Sequence, residues 1–165
     1  MRIENKMYRQ ITSLNRFPAA VRLPLATFMM GKFVPFLRTA GTRFDKLTRE
    51  EVKVSVDNKR RVQNHIGGVH ACVMALLAET ASGFVFGMNT PDDKLMLLKS
   101  MQMNYVKRSV GNMYAVASLS EQDAELIQRE ERGNIIVPVK IYDESDEPPV
   151  EAEMTWAWVL KKPQA

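Results

Sequence analysis

The sequence predicts an α+β chain: a mainly antiparallel sheet wrapped around one central buried helix, with an N-terminal helical extension. Three observations predict it. From Ala71 to Pro91 the only ionisable side chain besides Cys72 is Glu79, and a helix apolar on all sides is a buried helix. Runs with period-two alternation lie on both sides of that segment, as half-buried strands require. Residues 4–38 instead space their apolar side chains as helices do.

The bulk properties fit one ordinary domain. A chain of 165 residues buries about two thirds of its unfolded surface and can fold alone. Its 45% hydrophobic and 25% charged residues exclude a disordered chain, a collagen-like chain and a coiled coil. The lone Cys72 excludes a disulfide-stapled scaffold and favours a reducing compartment. Two histidines and one cysteine are too few for a structural zinc site of the usual kind, and no cofactor is expected. The net charge of +4 is unevenly spread: Arg2, Lys6, Arg9, Arg16, Arg22, Lys32 and Arg38 face one acid, Glu4, within residues 1–40. Basic groups without interleaved aromatics or a reader motif argue against nucleic acid as a partner. The apolar run Leu23 to Gly31 is about half of the ~20 residues of a membrane span. No small-residue cleavage site follows it. The expectation is a soluble, cytoplasmic protein without stable membrane insertion.

Taken in order, residues 4–20 and 22–38 are expected as two short helices, with Met7, Ile11, Leu14 and Phe17 on one face and Pro18 and Pro24 at the junction. They form an arm (1–40) ahead of the main body (41–165). The second helix is apolar enough to pack on the body or on a partner subunit; an interfacial membrane helix with basic flanks and the wall of a greasy ligand tunnel are its alternatives. Thr42 to Leu47 is a short strand. Val52, Val54 and Val56 alternate with charged and polar residues in the next. After the buried helix come strands at Leu95–Val106, Gly111–Leu119, Asn134–Tyr142 and Val150–Leu160, about six in all. In the last, Val150, Ala152, Met154, Trp156 and Trp158 face one way. Pro138 suggests an edge position or a bulge. The short link from Tyr105 to Gly111 predicts an antiparallel hairpin between the strands it joins. Between Leu119 and Asn134 a polar helix is capped by Ser120-x-x-Asp123 and stopped by Gly133.

The chemistry lies at residues 64–79. Glu79 sits mid-helix among Leu76, Leu77, Ala78 and Ala81. Burying a carboxylate there raises its pKa toward neutrality, which suits a general base or acid. Before the helix, Gly67-Gly68 allows close backbone approach to a ligand. The first helical amides, near Ala71 and Cys72, can hold a developing oxyanion. His70 and Glu79 are nine residues apart, which at ~100° per residue puts them on opposite sides of one helix, ~13 Å apart along its axis. If both serve one site, the second comes from another subunit, which implies a dimer.

Asn64, His70 and Glu79 also fall where the hotdog-fold acyl-CoA thioesterases of the phenylacetate-pathway type carry Asn, a His-Gly-Gly and an acid nine positions after the His. The chain resembles that family over residues 42–160. The resemblance implies an acyl-CoA thioesterase that is a homodimer, with a tetramer of paired dimers also open. It implies Glu79 as nucleophile or as the base activating water, and Asn64 of the facing subunit orienting water or substrate. The Ala71 amide would polarise the thioester oxygen, and His70 would shape the turn. Ala71-Cys72 replaces the family's Gly-Gly, which narrows the backbone approach beside Gly68. Cys72 is read as a small core residue. Coenzyme A phosphates need cations, and Lys59, Arg60, Arg61, Lys107 and Arg108 are the candidates. Two rivals remain at this level. One is a non-catalytic acyl-CoA sensor or scaffold. The other is a hotdog 3-hydroxyacyl dehydratase built on His65 and Glu79, fourteen residues apart but without the intervening prolines of that pattern.

Overall fold

The computed structural model describes residues 4–162; Arg2 and the two ends of the predicted arm and body ranges lie outside them. Its elements are α1 (Lys6–Thr12), a 3-10 turn (Ser13–Arg16), α2 (Ala19–Phe33), α3 (Pro35–Ala40), β1 (Arg43–Leu47), β2 (Glu51–Val56), a second 3-10 turn (Arg60–Val62), α4 (Ala71–Gly87), β3 (Lys94–Tyr105), β4 (Met113–Ser118), α5 (Glu121–Arg129), β5 (Gly133–Val137), β6 (Val139–Asp143) and β7 (Val150–Leu160). The strands form one seven-stranded sheet in the order β1-β2-β4-β6-β7-β3, with β5 also paired to β7. Every pairing is antiparallel.

The sheet follows the alternation closely. Val52, Val54 and Val56 of β2 are buried, as are Met154, Trp156 and Trp158 of β7, and together they pave the concave face on which α4 lies. Helix α4 packs on β2, β4, β6 and β7. Its Leu77, Ala78, Ala81, Val85 and Phe86 are fully buried. Burying Leu77, Val85 and Phe86 contributes about 1.5–3 kcal/mol each. Gly83 matters here: a Cβ on it would stand 2.8 Å from the Trp156 ring, so only glycine lets the indole lie against the helix. The Trp156 Nε1 then donates to Ser82 Oγ at 2.9 Å.

Four sequence expectations are corrected. The strands flanking the Tyr105–Gly111 link do not pair: β3 pairs with β7, and β4 pairs with β2 and β6. Between β4 and β3 lie β6 and β7, so the link crosses three strand spacings, about 14 Å. Its seven residues can reach about 23 Å, and it is held near its start where the Val106 amide donates to the Pro149 carbonyl. The run Asn134–Tyr142 is two strands, because Pro138 cannot donate to a ladder. On one side of it β5 pairs with β7, on the other β6 pairs with β4. The second arm helix is also two helices. It breaks at Val34, since Pro35 opens α3 and cannot continue α2. Pro24, expected at a junction, lies inside α2 and leaves the Ala20 carbonyl without its usual donor.

Helix α5 starts where expected, with Ser120 Oγ accepting from the Asp123 amide, but it ends at Arg129, well before Gly133. The stop is a lysine from elsewhere in the chain. Buried Lys94 donates from Nζ to the carbonyls of Ile127, Gln128 and Glu130 at 2.6–2.9 Å. These are the orphan acceptors that every helix leaves at its C-terminus.

The arm is fastened to the body by its first residues. Asn5 is buried, and its Nδ2 donates to the carbonyls of Gly87 and Thr90, both at 2.6 Å, where α4 ends. Its Oδ1 accepts from the Tyr8 amide at 2.7 Å and so caps α1. The Lys6 amide donates to both carboxylate oxygens of Asp92. Ile11, Met30, Leu37 and Ala40 join the same core as α4 and the sheet. Among the described residues no helix is long and apolar enough to cross a membrane.

Candidate active site

The N-terminus of α4 is built by its own cap. His70 is the N-cap, and its Nδ1 accepts from the Cys72 amide at 3.1 Å. An accepting Nδ1 leaves the ring proton of the neutral imidazole on Nε2. Of the two amides expected to face a ligand, that of Cys72 is therefore taken, and that of Ala71 is the first of the helix. Position is secured by the His70 amide donating to the Val62 carbonyl. The Tyr105 hydroxyl, at the end of β3, donates to the Ala71 carbonyl at 3.0 Å. Burial raises the Tyr105 pKa, with the neighbouring Cys72 adding to it. Cys72 itself is exposed, which corrects its reading as a core residue. It lies at the second position of the helix, where the face is still outside the sheet's cover.

Asn64 organises the preceding turn. Its Oδ1 accepts from the amides of Ile66 and Gly68, both at 3.1 Å. The turn needs a left-handed residue, which Gly67 supplies at φ +78°. Gly68 contributes its amide to the turn rather than an open approach. Arg108 donates to the Ile66 carbonyl at 3.4 Å, tying the β3–β4 link to the same turn. Arg60 shares an open groove with Gln63, Asn64 and His65. The other candidate cations are engaged elsewhere. Lys59 pairs with Asp57 at 2.8 Å and Lys107 with Glu147 at 2.6 Å. Arg61 reaches over Gly41, whose φ of +74° favours glycine there.

Glu79 is not among these groups. It lines a separate cavity of about 150 Å³, beneath the arm. Met7, Val34 and Leu37 of the arm form its roof; Thr80 and Phe84 of α4 and Trp156 of β7 form its walls. Glu79 is its only titratable lining residue. The side chain is half-buried, and burial pushes its pKa above the ordinary carboxylate value, with Thr80 opposing the shift. The Thr80 hydroxyl is buried, and no hydrogen bond of good geometry satisfies it. The structure thus gathers Asn64, His70, Ala71, Arg60 and Arg108 at one end of α4, and sets Glu79 apart, at the middle of the helix. The helical spacing had implied that separation within one chain.

Sequence reasoning offered the second arm segment, with Leu37, as one wall of a greasy ligand tunnel, but did not single out Met7 or Val34 for it and missed Tyr105. The available signal for Tyr105 was only a tyrosine closing a strand-like run; its contact with Ala71 spans 34 positions. Among the described residues, no group of three or more His, Cys, Asp or Glu could hold a metal ion.

Residues 24–159 match the family model described as Domain of unknown function (DUF4442). No curated protein matches the sequence. Among solved structures, the chain is similar to a structural-genomics protein, APC5556, at 27% identity over 94% of this chain and 99% of that one, with a TM-score of 0.73. It is also similar to a Pseudomonas aeruginosa protein of unknown function described as a probable thioesterase. The two are 19% identical over 84% of this chain and 95% of that one, with a TM-score of 0.76. The Haemophilus influenzae thioesterase HI1161 is 14% identical over 76% of this chain and 82% of that one, with a TM-score of 0.62. The antiparallel sheet around a buried helix is the hotdog fold of these thioesterases.

Proposed function

The chain belongs to the DUF4442 family, and we propose that it is a homodimeric hydrolase of acyl-CoA thioesters whose base is Glu79. One observation carries this reading: a single carboxylate with a raised pKa in an otherwise uncharged, mostly apolar cavity. A carboxylate so placed is a stronger base than an exposed one. Water loses a proton to Glu79 while its oxygen bonds to the thioester carbon. The carbonyl oxygen takes on the negative charge and accepts from the Ala71 amide of the facing subunit. Collapse breaks the C–S bond, and the thiolate leaves with the proton from Glu79. Direct attack by the carboxylate, followed by hydrolysis of the anhydride, uses the same groups.

Two copies are needed because the acid and the amide-rich turn of one helix are ~13 Å apart along its axis. The edge strand β3 supports that assembly. It pairs on one side only, with β7, and presents exposed Leu95, Leu97 and Met101 along twelve residues. A long apolar edge of this kind calls for a second strand. Sedimentation equilibrium should therefore return twice the 18.8 kDa chain mass; a monomer at micromolar concentration would leave each site without its amide. Arg60 and Arg108, at the rim beside Asn64, are the proposed contacts for the coenzyme A phosphates.

The test is a panel of acyl-CoA thioesters assayed by thiol release, with 3-hydroxyacyl-CoA dehydration followed in parallel. Turnover of at least one saturated acyl-CoA supports the reading. Tight binding of every thioester with no thiol release would replace it with a sensor. Dehydration without thiol release would assign the chemistry to His65 and Glu79.

A further inference from the structure

We propose that the N-terminal arm closes the tail end of the acyl pocket and so sets the longest acyl chain the protein accepts. The proposal deepens the thioesterase reading and rests on it for the identity of the ligand. The cavity at Glu79 is not formed by the sheet and α4 alone. Three arm residues complete it: Met7 from α1, and Val34 and Leu37 from either side of the α2–α3 break. The break itself places them. Pro35 ends α2 one turn before Leu37, and Val34, which caps both helices, comes over the cavity.

The roof has a defined seat. Asn5 bonds to the Gly87 and Thr90 carbonyls at the end of α4. Gly87 lacks the Cβ that would stand 3.0 Å from the Met7 sulfur. The wall opposite is equally fixed, by the Trp156 to Ser82 hydrogen bond and the bare Gly83 beneath the indole. The arm and the indole wall thus face each other across the space. An apolar cavity of about 150 Å³ holds a guest of benzene size, so a tail of about six carbons fills it. Glu79 marks the end where the thioester must lie, since it is the only charge on the lining. Thr80, whose buried hydroxyl lies beside the Glu79 carboxylate, is the one polar wall residue near that end. Each methylene moved from water into such a space is worth roughly fourfold in binding. A methylene that meets the roof gains nothing.

Val34 is the residue to change, because it lines the cavity and yet is 39% exposed. Altering it moves the roof with little cost to folding. In Val34→Ala, kcat/KM for an eight-carbon acyl-CoA should rise at least fourfold relative to the six-carbon one. In Val34→Met the same ratio should fall by a similar factor. A ratio unchanged in both variants, with hydrolysis intact, would overturn the proposal. Alkyl-CoA thioethers of four to twelve carbons, which cannot be hydrolysed, separate this outcome from failure of the reading beneath it. Calorimetry should show affinity growing to about six carbons and then levelling in wild type, and levelling later in Val34→Ala. That result in a protein inert toward every thioester would keep the arm's role and discard hydrolysis. Identical plateaus in wild type and Val34→Ala would remove the arm from tail recognition.

Discussion

Glu79→Gln is expected to lower kcat for thioester hydrolysis by ~10²–10⁴-fold, with acyl-CoA binding changed only a few-fold. Glutamine matches the shape and hydrogen-bonding reach of the acid but cannot take a proton from water. The wild-type pH profile should carry the mark of the same group. The base is the carboxylate, and burial raises its pKa above the ordinary 4.5. Activity should therefore rise with pH through a midpoint above that of a solvated glutamate. Stability should respond in the opposite sense. A folded-state pKa above the unfolded one means that the fold favours the protonated acid. That contribution is full below the unfolded pKa and is lost as pH rises through the folded pKa. Gln is neutral throughout. Glu79→Gln should thus be more stable than wild type in urea at pH 8, and the gap should close as the pH approaches 4. An inactive variant that is stabilised only at the higher pH is the pattern of a charge held in place for chemistry. A fully active variant would remove Glu79 from the mechanism. Equal stability at both pH values would show that the carboxylate is solvated or paired in the assembled protein.

Asn5→Asp should be the most damaging single-atom change in the arm. The Asn5 amide donates to two buried carbonyls at 2.6 Å, while its oxygen caps α1. Aspartate keeps the cap but replaces the donor with a charged oxygen facing both carbonyls. Two acceptors lose their partner, each at about 1–3 kcal/mol, and the new charge is desolvated among them. A loss of about 3 kcal/mol corresponds to a fall in Tm of roughly 6–12 °C for a chain of this size. Asn5→Ala, which leaves the carbonyls unsatisfied without adding repulsion, should fall between wild type and Asn5→Asp. Differential scanning calorimetry gives the ranking. If the two variants melt together with wild type, α1 is not held by this residue. The Asn5→Asp protein should also regain part of its loss at acid pH, where protonation restores a donor.

How much was legible depends on the range of the interaction. The strands β2 and β7 were readable because Val52, Val54 and Val56, and then Met154, Trp156 and Trp158, repeat every second residue against one buried face. Helix α4 was readable because burial on all sides excludes charge, so the lone Glu79 stood out. The cap at Ser120 was readable because its hydrogen bond spans three residues. The hairpin across Tyr105–Gly111 failed because a short link looks the same whether it joins neighbours or crosses two strands. Cys72 failed because an apolar neighbourhood in sequence does not reveal which face of the first helical turn the sheet covers. The stop of α5 failed because its C-terminal carbonyls are met by Lys94, more than thirty residues earlier.

The sequence by itself determined the class of the fold, the single acid in the central helix, and the impossibility of His70 and Glu79 meeting within one chain. Each follows from periodicity or helix pitch, which are local and need no knowledge of neighbours. Tertiary structure alone decided that β3 stands at the sheet's edge, that Asn5 ties the arm to the end of α4, and that Met7, Val34 and Leu37 roof the space at Glu79. These depend on contacts between residues some 40 to 80 positions apart, where burial and hydrogen bonding select one docking among many that the same local pattern permits.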